Sequence, residues 1–222
     1  MFILSGGFVL VMSKLSMILS FPCCILTLMG SKVSVTGFLS GGNCMAGSHK
    51  FNEMHMKFLD SKERERILPK KDIIEFIDST YSLNGKVVAD VGAGTGYFTF
   101  PLAEKVGTNG KVIAIDINEK MLSVLKKRAT GFQNIEVLLS REDHIPVGNE
   151  SADLVFCADL LHELDGDATL RETYRILKPG CFFVAVDWEK GKGGMGPSDH
   201  TRLTRDNAIE LCTGVRFSLV KS

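Results

Sequence analysis

One short stretch, residues 86–97 (KVVADVGAGTGY), limits what this 222-residue chain can fold into more than any other. It begins with a nearly continuous apolar run, which is typical of a parallel strand covered on both faces. Three closely spaced glycines follow, and they let the backbone turn tightly and approach a ligand. A helix predicted from Tyr97 to about Lys105 then directs its free N–H groups over the turn. The pattern predicts a nucleotide-type binding site.

The glycine spacing and one acid distinguish between the nucleotides that could bind. Gly92 and Gly94 fit the dinucleotide fingerprint G-x-G-x-x-G, but Tyr97 stands where its third glycine belongs. The third glycine of this chain, Gly96, comes one residue early. Asp90 lies two residues before the first glycine, where a carboxylate favours a cationic amino group over a pyrophosphate. The loop therefore favours a ligand that carries a positive charge.

This segment resembles motif I of the class I S-adenosylmethionine (SAM)-dependent methyltransferases, which hold the methionine end of SAM over such a loop. The resemblance implies SAM as the cofactor. It also implies a set of cofactor-binding residues in the loop: Asp90, Gly92, Ala93, Gly94, Thr95 and Gly96. An NAD(P)-dependent oxidoreductase is the alternative, and Asp90 and Tyr97 argue against it. A SAM-binding protein without turnover is the second alternative.

A second buried strand, KVIAIDI, carries an acid at its end. Asp116 lies about twenty residues beyond the glycine loop, where an acid can accept hydrogen bonds from ribose hydroxyls. NAD and SAM share that ribose, so Asp116 supports nucleoside binding without choosing between them. We assign Asp116 and the adjacent Ile117 to the cofactor site. Asn118 is predicted to cap the helix that follows.

The third strand, NIEVLL at 134–139, is followed by a charged loop. In the methyltransferases that the chain resembles, an acidic residue of this loop lies near the adenine amino group. The candidates here are Glu142 and, second, Asp143. A solvated loop without a ligand is the alternative.

The fourth predicted strand ends near Ala158, at the edge where open α/β sheets bind their ligands. The backbone at Ala158 is expected to face the methionine part of SAM. His162 and Glu163 are the only close pair in this stretch suited to proton transfer near neutral pH. His162 is thus a candidate catalytic base or substrate contact, although a histidine held for structural reasons is the favoured interpretation.

Alternating strands and helices predict an α/β fold, a Rossmann-like doubly wound and mostly parallel sheet with helices on both faces. A Leu-Lys-Pro-Gly helix end at 177–180, followed by a hydrophobic strand, is frequent in the same superfamily. The resemblance spans roughly residues 51–220 and is closest to the type 11 branch, which includes the ubiquinone/menaquinone C-methyltransferases. It implies a small-molecule methyl acceptor, which the sequence does not identify.

The fold of that family normally ends with an antiparallel strand inserted between the fifth and sixth strands. Here the sequence stops directly after the predicted sixth strand, 215–220, so the final antiparallel strand is expected to be missing. Residues 33–39 alternate partially and are a candidate to fill the gap. An open gap leaves backbone groups unpaired and predicts weak stability.

Three regions are predicted along the chain: an apolar extension outside the fold (1–48), a helical N-terminal cover (49–84) and the SAM-binding methyltransferase domain (85–222). Residues 2–30 contain a single charge, Lys14. A secretory signal, a membrane anchor through residues 1–30 and an extension upstream of a later initiator compete as interpretations. The last is favoured, with candidate initiators at Met45, Met54 and Met56. Phe51 and Phe58 are candidate lid residues over the cofactor.

Charge and cysteine content exclude several classes of function. The formal net charge is +0 and basic runs are absent from the sequence, which argues against a dedicated nucleic-acid binder. The six cysteines are scattered without a C-x-x-C pair, so we predict no metal site. Buried thiols of a reducing compartment are the expected use, which predicts a cytoplasmic protein, with membrane anchoring as the minority interpretation.

Overall fold

The computed structural model of the chain describes residues 7–14, 62–192 and 196–221. The strands are β1 (Gly7–Lys14), β2 (Val87–Val91), β3 (Lys111–Asp116), β4 (Ile135–Leu139), β5 (Ala152–Ala158), β6 (Leu177–Trp188) and β7 (Phe217–Lys221). The helices are α1 (Lys62–Ile67), α2 (Lys70–Tyr81), α3 (Thr99–Val106), α4 (Glu119–Arg128), α5 (Ala168–Ile176) and α6 (Arg205–Gly214). The strands form one sheet in the order β4-β3-β2-β5-β6-β1-β7. The predicted Rossmann-like α/β architecture is confirmed.

The strand that precedes the glycine loop lies at the centre of the parallel part of the sheet. β2 pairs in parallel with β3 on one side and with β5 on the other, and its Val88 faces Val112 and Leu154. All three of these side chains are buried. The apolar run of β2 follows from this position, because a strand with helices over both faces has no side exposed to water. The carboxyl ends of β2, β3, β4 and β5 therefore share one edge.

The N-terminal strand β1 corrects two expectations. It lies between β6 and β7 and runs antiparallel to both, so residues 7–14 belong to the fold although residues 1–48 were expected to lie outside it. It also fills the position expected to be empty, because the seventh strand comes from the start of the chain. The segment 33–39 lies outside the described residues, as do Phe51 and Phe58.

The sequence of β1 fits this position. Phe8, Leu10, Val11 and Met12 are each at most 3% exposed, as residues of a strand covered on both faces must be. The same hydrophobicity suggested a membrane anchor or a non-native extension because no partner strand is adjacent in sequence. Register with β6 is continuous from Gly7 opposite Trp188 to residue 13 opposite residue 182.

Lys14, the single charge among residues 2–30, is a buried side chain at the end of β1 with three polar or aromatic contacts. Its Nζ donates to the Leu177 carbonyl oxygen at 2.8 Å and to Glu150 Oε1 at 3.2 Å. The ammonium also lies 4.8 Å from the ring centroid of Tyr174. Each contact offsets part of the cost of burying the ammonium group.

The sequence predicted the helix N-cap correctly, but it predicted the first and last residues of helices and strands less accurately. Asn118 accepts hydrogen bonds from two backbone N–H groups at the start of α4, and Thr204 accepts one from Asn207 at the start of α6. The predicted cap at Asn118 is confirmed, and Thr204 caps α6 in the same way. The helix after the glycine loop begins at Thr99, two residues later than predicted. The Leu-Lys-Pro-Gly segment opens β6 instead of ending the preceding helix.

No helix within the described ranges is both long enough and apolar enough to cross a lipid bilayer.

Candidate cofactor and active site

The glycine loop after β2 adopts a backbone conformation that explains its composition. Gly92, Gly94 and Gly96 have φ values of 78°, 55° and 97°, a region that residues with a Cβ rarely adopt. A Cβ on Gly96 would lie 2.5 Å from the Phe100 ring, so this glycine is also required for packing. Around Gly94 the space is open within 4 Å of an added Cβ. The loop thus combines a tight turn with an open surface.

Asp116, at the carboxyl end of β3, is held against this loop. Its Oδ2 accepts a hydrogen bond from the Gly94 N–H at 2.8 Å, and its Oδ1 accepts one from the Asn118 N–H at 2.7 Å. Burial raises the pKa of Asp116, and the backbone N–H donors oppose that effect. The predicted ribose acid and the predicted loop are therefore adjacent in space.

Two apolar side chains beside Asp116 are exposed at the same edge of the sheet. Ile117 is 58% exposed and Leu139, at the end of β4, is 52% exposed. Asp116 and Leu139 are register partners, so the apolar pair borders the acid directly. An exposed apolar pair next to the acid predicted to bind ribose gives a flat aromatic ring a surface to pack on.

Asp90 is buried in β2, beneath the loop. Its Oδ2 accepts a hydrogen bond from Thr99 Oγ1 at 2.6 Å, which ties the strand to the start of α3. Burial raises the pKa of Asp90 from 3.8 to about 7; the Thr99 hydrogen bond opposes this shift and the Asp116 charge adds to it. A cation bound nearby would favour the ionised carboxylate.

Two features of the glycine loop, an open space and an unsatisfied hydroxyl group, bear on whether SAM fits these residues. The open space over Gly94 admits a ligand close to the backbone. Thr95 Oγ1 is buried, and it finds no hydrogen-bond partner among the residues that the structure describes. An unsatisfied hydroxyl in a loop of this kind is a group that a bound ligand can satisfy. The loop residues fit a SAM molecule.

The acidic loop after β4 lies on the surface. Glu142 and Asp143 are exposed, and Asp143 pairs with Arg141 at 3.1 Å. The backbone carbonyl of Glu142 accepts a hydrogen bond from Thr169. The assignment of either acid to the adenine amino group stays a prediction.

The carboxyl end of β5 makes a strained turn beside Ala158. Asp159 has a φ of 55°, a left-handed conformation that residues with a Cβ adopt infrequently, although aspartate tolerates it better than most, and its N–H donates to the Val186 carbonyl of β6. Its carboxylate pairs with Arg64 of α1 at 3.0 Å. Burial raises the pKa of Asp159 to about 6, and the Arg64 charge opposes that effect. Strain of this kind concentrates at functional sites.

Helix α1 is fastened to the residue that follows the glycines. The Arg64 guanidinium lies 4.5 Å from the ring centroid of Tyr97. The Tyr97 hydroxyl group lies within hydrogen-bond distance of Glu65 Oε2 (2.9 Å) and of the Leu68 carbonyl oxygen (2.8 Å). Sequence analysis used Tyr97 only to exclude a dinucleotide fingerprint and missed Arg64, since its partners are distant in the sequence.

The candidate catalytic residue His162 is almost fully buried, with 6% of its side chain exposed. Its Nδ1 lies 2.6 Å from Oδ1 of Asp187, near the end of β6, and its backbone N–H donates to the other oxygen of the same carboxylate. Burial lowers the pKa of His162, but the hydrogen bond and charge of Asp187 outweigh it, so the pKa lies above its usual value. The structure thus brings His162 and Asp187 together, a partnership that sequence analysis did not predict.

Comparison with known proteins supports the assignment of this chain to the SAM-dependent methyltransferases. Residues 82–206, more than half of the chain, match the family described as "Methyltransferase domain". The chain is 34% identical over 128 residues to the ubiquinone/menaquinone biosynthesis C-methyltransferase UbiE of Rickettsia prowazekii, covering 54% of this chain and 51% of that protein. It is 40% identical over 100 residues to the demethylmenaquinone methyltransferase of Lactobacillus johnsonii, covering 43% and 41%. The chain therefore spans about half the length of the curated relatives it matches.

Solved structures agree with the family match. A SAM-dependent methyltransferase from Aquifex aeolicus superposes with a TM-score of 0.71 at 28% identity, covering 78% of this chain and 92% of that chain. An arsenic(III) SAM methyltransferase from Chlamydomonas reinhardtii shares the fold, with a TM-score of 0.52 at 23% identity over 61% of this chain and 53% of that chain. With the glycine loop and the sheet order described above, these matches identify the chain as a member of the class I SAM-dependent methyltransferases, whose cofactor is SAM.

Proposed function

We propose that this protein transfers the methyl group of SAM to a ring carbon of a small hydroxylated aromatic acceptor. The observation that supports it best is the contact between the Gly94 backbone and Asp116 beside the exposed Ile117, which brings loop, acid and apolar surface to one edge. Two relatives with 34% and 40% identity are named for quinone methylation, and this supports the class of acceptor.

Each part of this edge has a role in holding the cofactor. We assign the ammonium end of SAM to the neighbourhood of Asp90 and the glycine loop, and the methionine part to the backbone at Ala158. The ribose hydroxyls are assigned to Asp116, and the adenine ring to the apolar pair Ile117 and Leu139. Glu142 and Asp143 are the remaining candidates near the adenine amino group.

SAM supplies a methyl group on a cationic sulfur, which is already an activated leaving group. The protein chiefly has to align donor and acceptor and exclude water. Arg64 and Tyr97 join α1 to the loop and to the end of β5, so α1 contributes to covering this edge. The final strand that was expected to be missing made a SAM-binding protein without turnover a credible alternative, and β1 occupies that position.

Calorimetry tests the cofactor first, and a transfer assay then tests the reaction. SAM and its demethylated product should bind with measurable heat, and NAD should not. Methyl-labelled SAM should then transfer label to 1,4-naphthohydroquinone under anaerobic conditions. Asp116→Ala should weaken SAM binding by about 10- to 100-fold, since it removes a charged hydrogen-bond acceptor.

The matched control is Asp72→Ala, which removes an exposed acid from α2. It should leave SAM affinity unchanged. NAD binding in the absence of any SAM binding would contradict the cofactor assignment. SAM binding without transfer to any hydroxylated aromatic acceptor would contradict the proposed reaction.

A further inference from the structure

His162 lies at the carboxyl end of β5, at the ligand-binding edge of the sheet. It belongs to the short 3₁₀ turn 161–163 that follows the strained Asp159 at the carboxyl end of β5. Ligands of parallel α/β sheets bind at this edge, at the ends of strands that diverge. The acceptor must lie at the same edge as SAM, because methyl transfer joins the two molecules directly.

The imidazole ring is fixed by one carboxylate. Asp187 has no exposed side-chain surface, and its Oδ1 lies 2.6 Å from Nδ1 of His162. The same carboxylate accepts hydrogen bonds from the backbone N–H groups of His162 and Trp188. An acceptor oxygen at this distance holds the proton on Nδ1, so the lone pair of the neutral ring is on Nε2.

The groups around the ring favour proton uptake at Nε2. That atom lies 3.9 Å from Oε1 of Glu163, a side chain that is 67% exposed. Asp187, Glu163 and Asp159 all raise the pKa of His162 by their charges, while burial lowers it. Asp159 is itself paired with Arg64. A ring with a raised pKa is a stronger base than free imidazole.

The other carboxylates near this edge are already occupied or lie apart. Asp90 accepts the Thr99 hydroxyl proton and is 2% exposed. Asp159 is ion-paired with Arg64. His162 is the candidate whose second ring nitrogen is left for a substrate when the first is bound to Asp187.

We propose that His162 Nε2 is the catalytic base that removes the hydroxyl proton of a hydroxylated aromatic acceptor, with Asp187 as the positioning residue that orients the ring. This inference rests on the proposed function, and it narrows the acceptor to a molecule that bears an ionisable hydroxyl group on the ring carbon next to the methylated one.

The step balances in atoms and electrons. The acceptor O–H bond breaks and its proton goes to Nε2, while the electron pair moves into the ring. The ring carbon forms the new C–CH₃ bond as the C–S bond of the sulfonium breaks, and that electron pair stays on sulfur. The ring carbon then loses its hydrogen as a proton and the oxygen regains one from the imidazolium. One proton leaves per methyl group transferred.

The test compares kcat against pH for wild type, His162→Gln and Asp187→Asn, with SAM and 1,4-naphthohydroquinone as substrates. Wild-type kcat should rise with pH through a midpoint above 6.5. His162→Gln should lower kcat by about 100-fold or more and lose this limb, as expected for a general base. SAM affinity by calorimetry should stay within about threefold of wild type, which a merely structural role would not predict.

Asp187→Asn gives an independent reading, because loss of its charge should move the kinetic midpoint to lower pH and reduce kcat. If His162→Gln does not fold, two other measurements test whether His162 is the base. They are this shift in Asp187→Asn and the ¹⁵N NMR titration of His162 in the wild-type protein. The NMR midpoint should match the kinetic one. His200→Gln, an exposed histidine of the loop before α6, is the matched control and should leave the profile unchanged.

A His162→Gln enzyme with kcat near wild type and an unchanged pH limb would overturn this inference and leave the proposed function standing. So would a wild-type NMR midpoint that differs from the kinetic midpoint by more than about one pH unit. Absence of SAM binding, or of methyl transfer by wild type to any hydroxylated aromatic, would remove the proposed function and this inference with it.

Discussion

The glycine loop and the antiparallel end of the sheet are built in opposite ways. The loop, its strand and its acid lie within residues 87–116, and β2 and β3 are consecutive parallel strands. The antiparallel end joins β6 and β7 through β1, a strand from the other end of the chain. One region is specified by local sequence and the other by pairing across more than 160 residues, as between Ser13 and Phe182.

This difference decides what could be predicted. The turn needed residues that tolerate positive φ, and the caps needed Asn118 and Thr204 at set positions, so both left local signals. The strand β1 left only an apolar run, which fits a buried strand, a membrane anchor or an extension equally well. Arg64 and Asp187 are single charged residues, and nothing nearby in sequence reveals that they pair with Asp159 and His162.

The strongest test of the comparison is removal of residues 1–14. We expect loss of cooperative folding, because β6 and β7 lose their common partner and four buried apolar side chains disappear from the core. Leu10→Ala alone should lower the free energy of unfolding by about 3 kcal/mol. Urea denaturation followed by circular dichroism measures both. Ser13→Ala, a small change on the same strand, is the control, and a truncated protein that unfolds like wild type would contradict the role of β1.

A second test addresses the loop region through Asp90. Its folded pKa of about 7 exceeds the ordinary 3.8. Below about pH 4 the carboxyl is protonated in both the folded and unfolded states, so its full contribution to stability is present. As pH rises from about 4 to 7, the carboxyl ionises in the unfolded state but stays protonated in the folded state, so that contribution is lost.

Asp90→Asn should therefore gain stability relative to wild type as pH increases from about 4 to 7, by a difference on the order of 4 kcal/mol. Denaturant titrations at several pH values measure it, with Asp72→Asn as the control. The affinity for SAM should have the opposite pH dependence. Wild-type affinity should increase over the same interval, because the ammonium group of SAM interacts more favourably with the ionised Asp90 carboxylate than with the neutral acid. A stability difference that is constant with pH would argue against a buried neutral Asp90.

The third test concerns the contact that joins the two regions. Arg64→Met removes the cation that pairs with Asp159 and should cost about 3 kcal/mol, since a largely buried carboxylate loses its partner. Arg66→Met, an exposed position on the same helix, should have little effect. Adding Asp159→Asn to Arg64→Met should recover part of the loss. Equal effects at 64 and 66 would show that α1 is not fastened in this way.

The smallest expected effect is at Tyr97. Tyr97→Phe keeps the ring beneath Arg64 but removes the hydroxyl that contacts Glu65 and Leu68, so we expect a loss of about 1 kcal/mol. Chemical denaturation detects a change of this size. Tyr81→Phe on α2 is the comparison variant. A larger loss than for Arg64→Met would reverse the proposed ranking of the contacts.

The position of β1 has a consequence for synthesis of the protein on the ribosome. The strand β1 leaves the exit tunnel before β6 and β7, and it must wait for both of them before its two edges are paired. Meanwhile the nascent chain exposes an unpaired apolar strand, which is the kind of segment that chaperones bind and that aggregates when left unprotected. We therefore expect overproduction to depend strongly on temperature and chaperone supply, even though both edges of this strand are paired in the finished sheet.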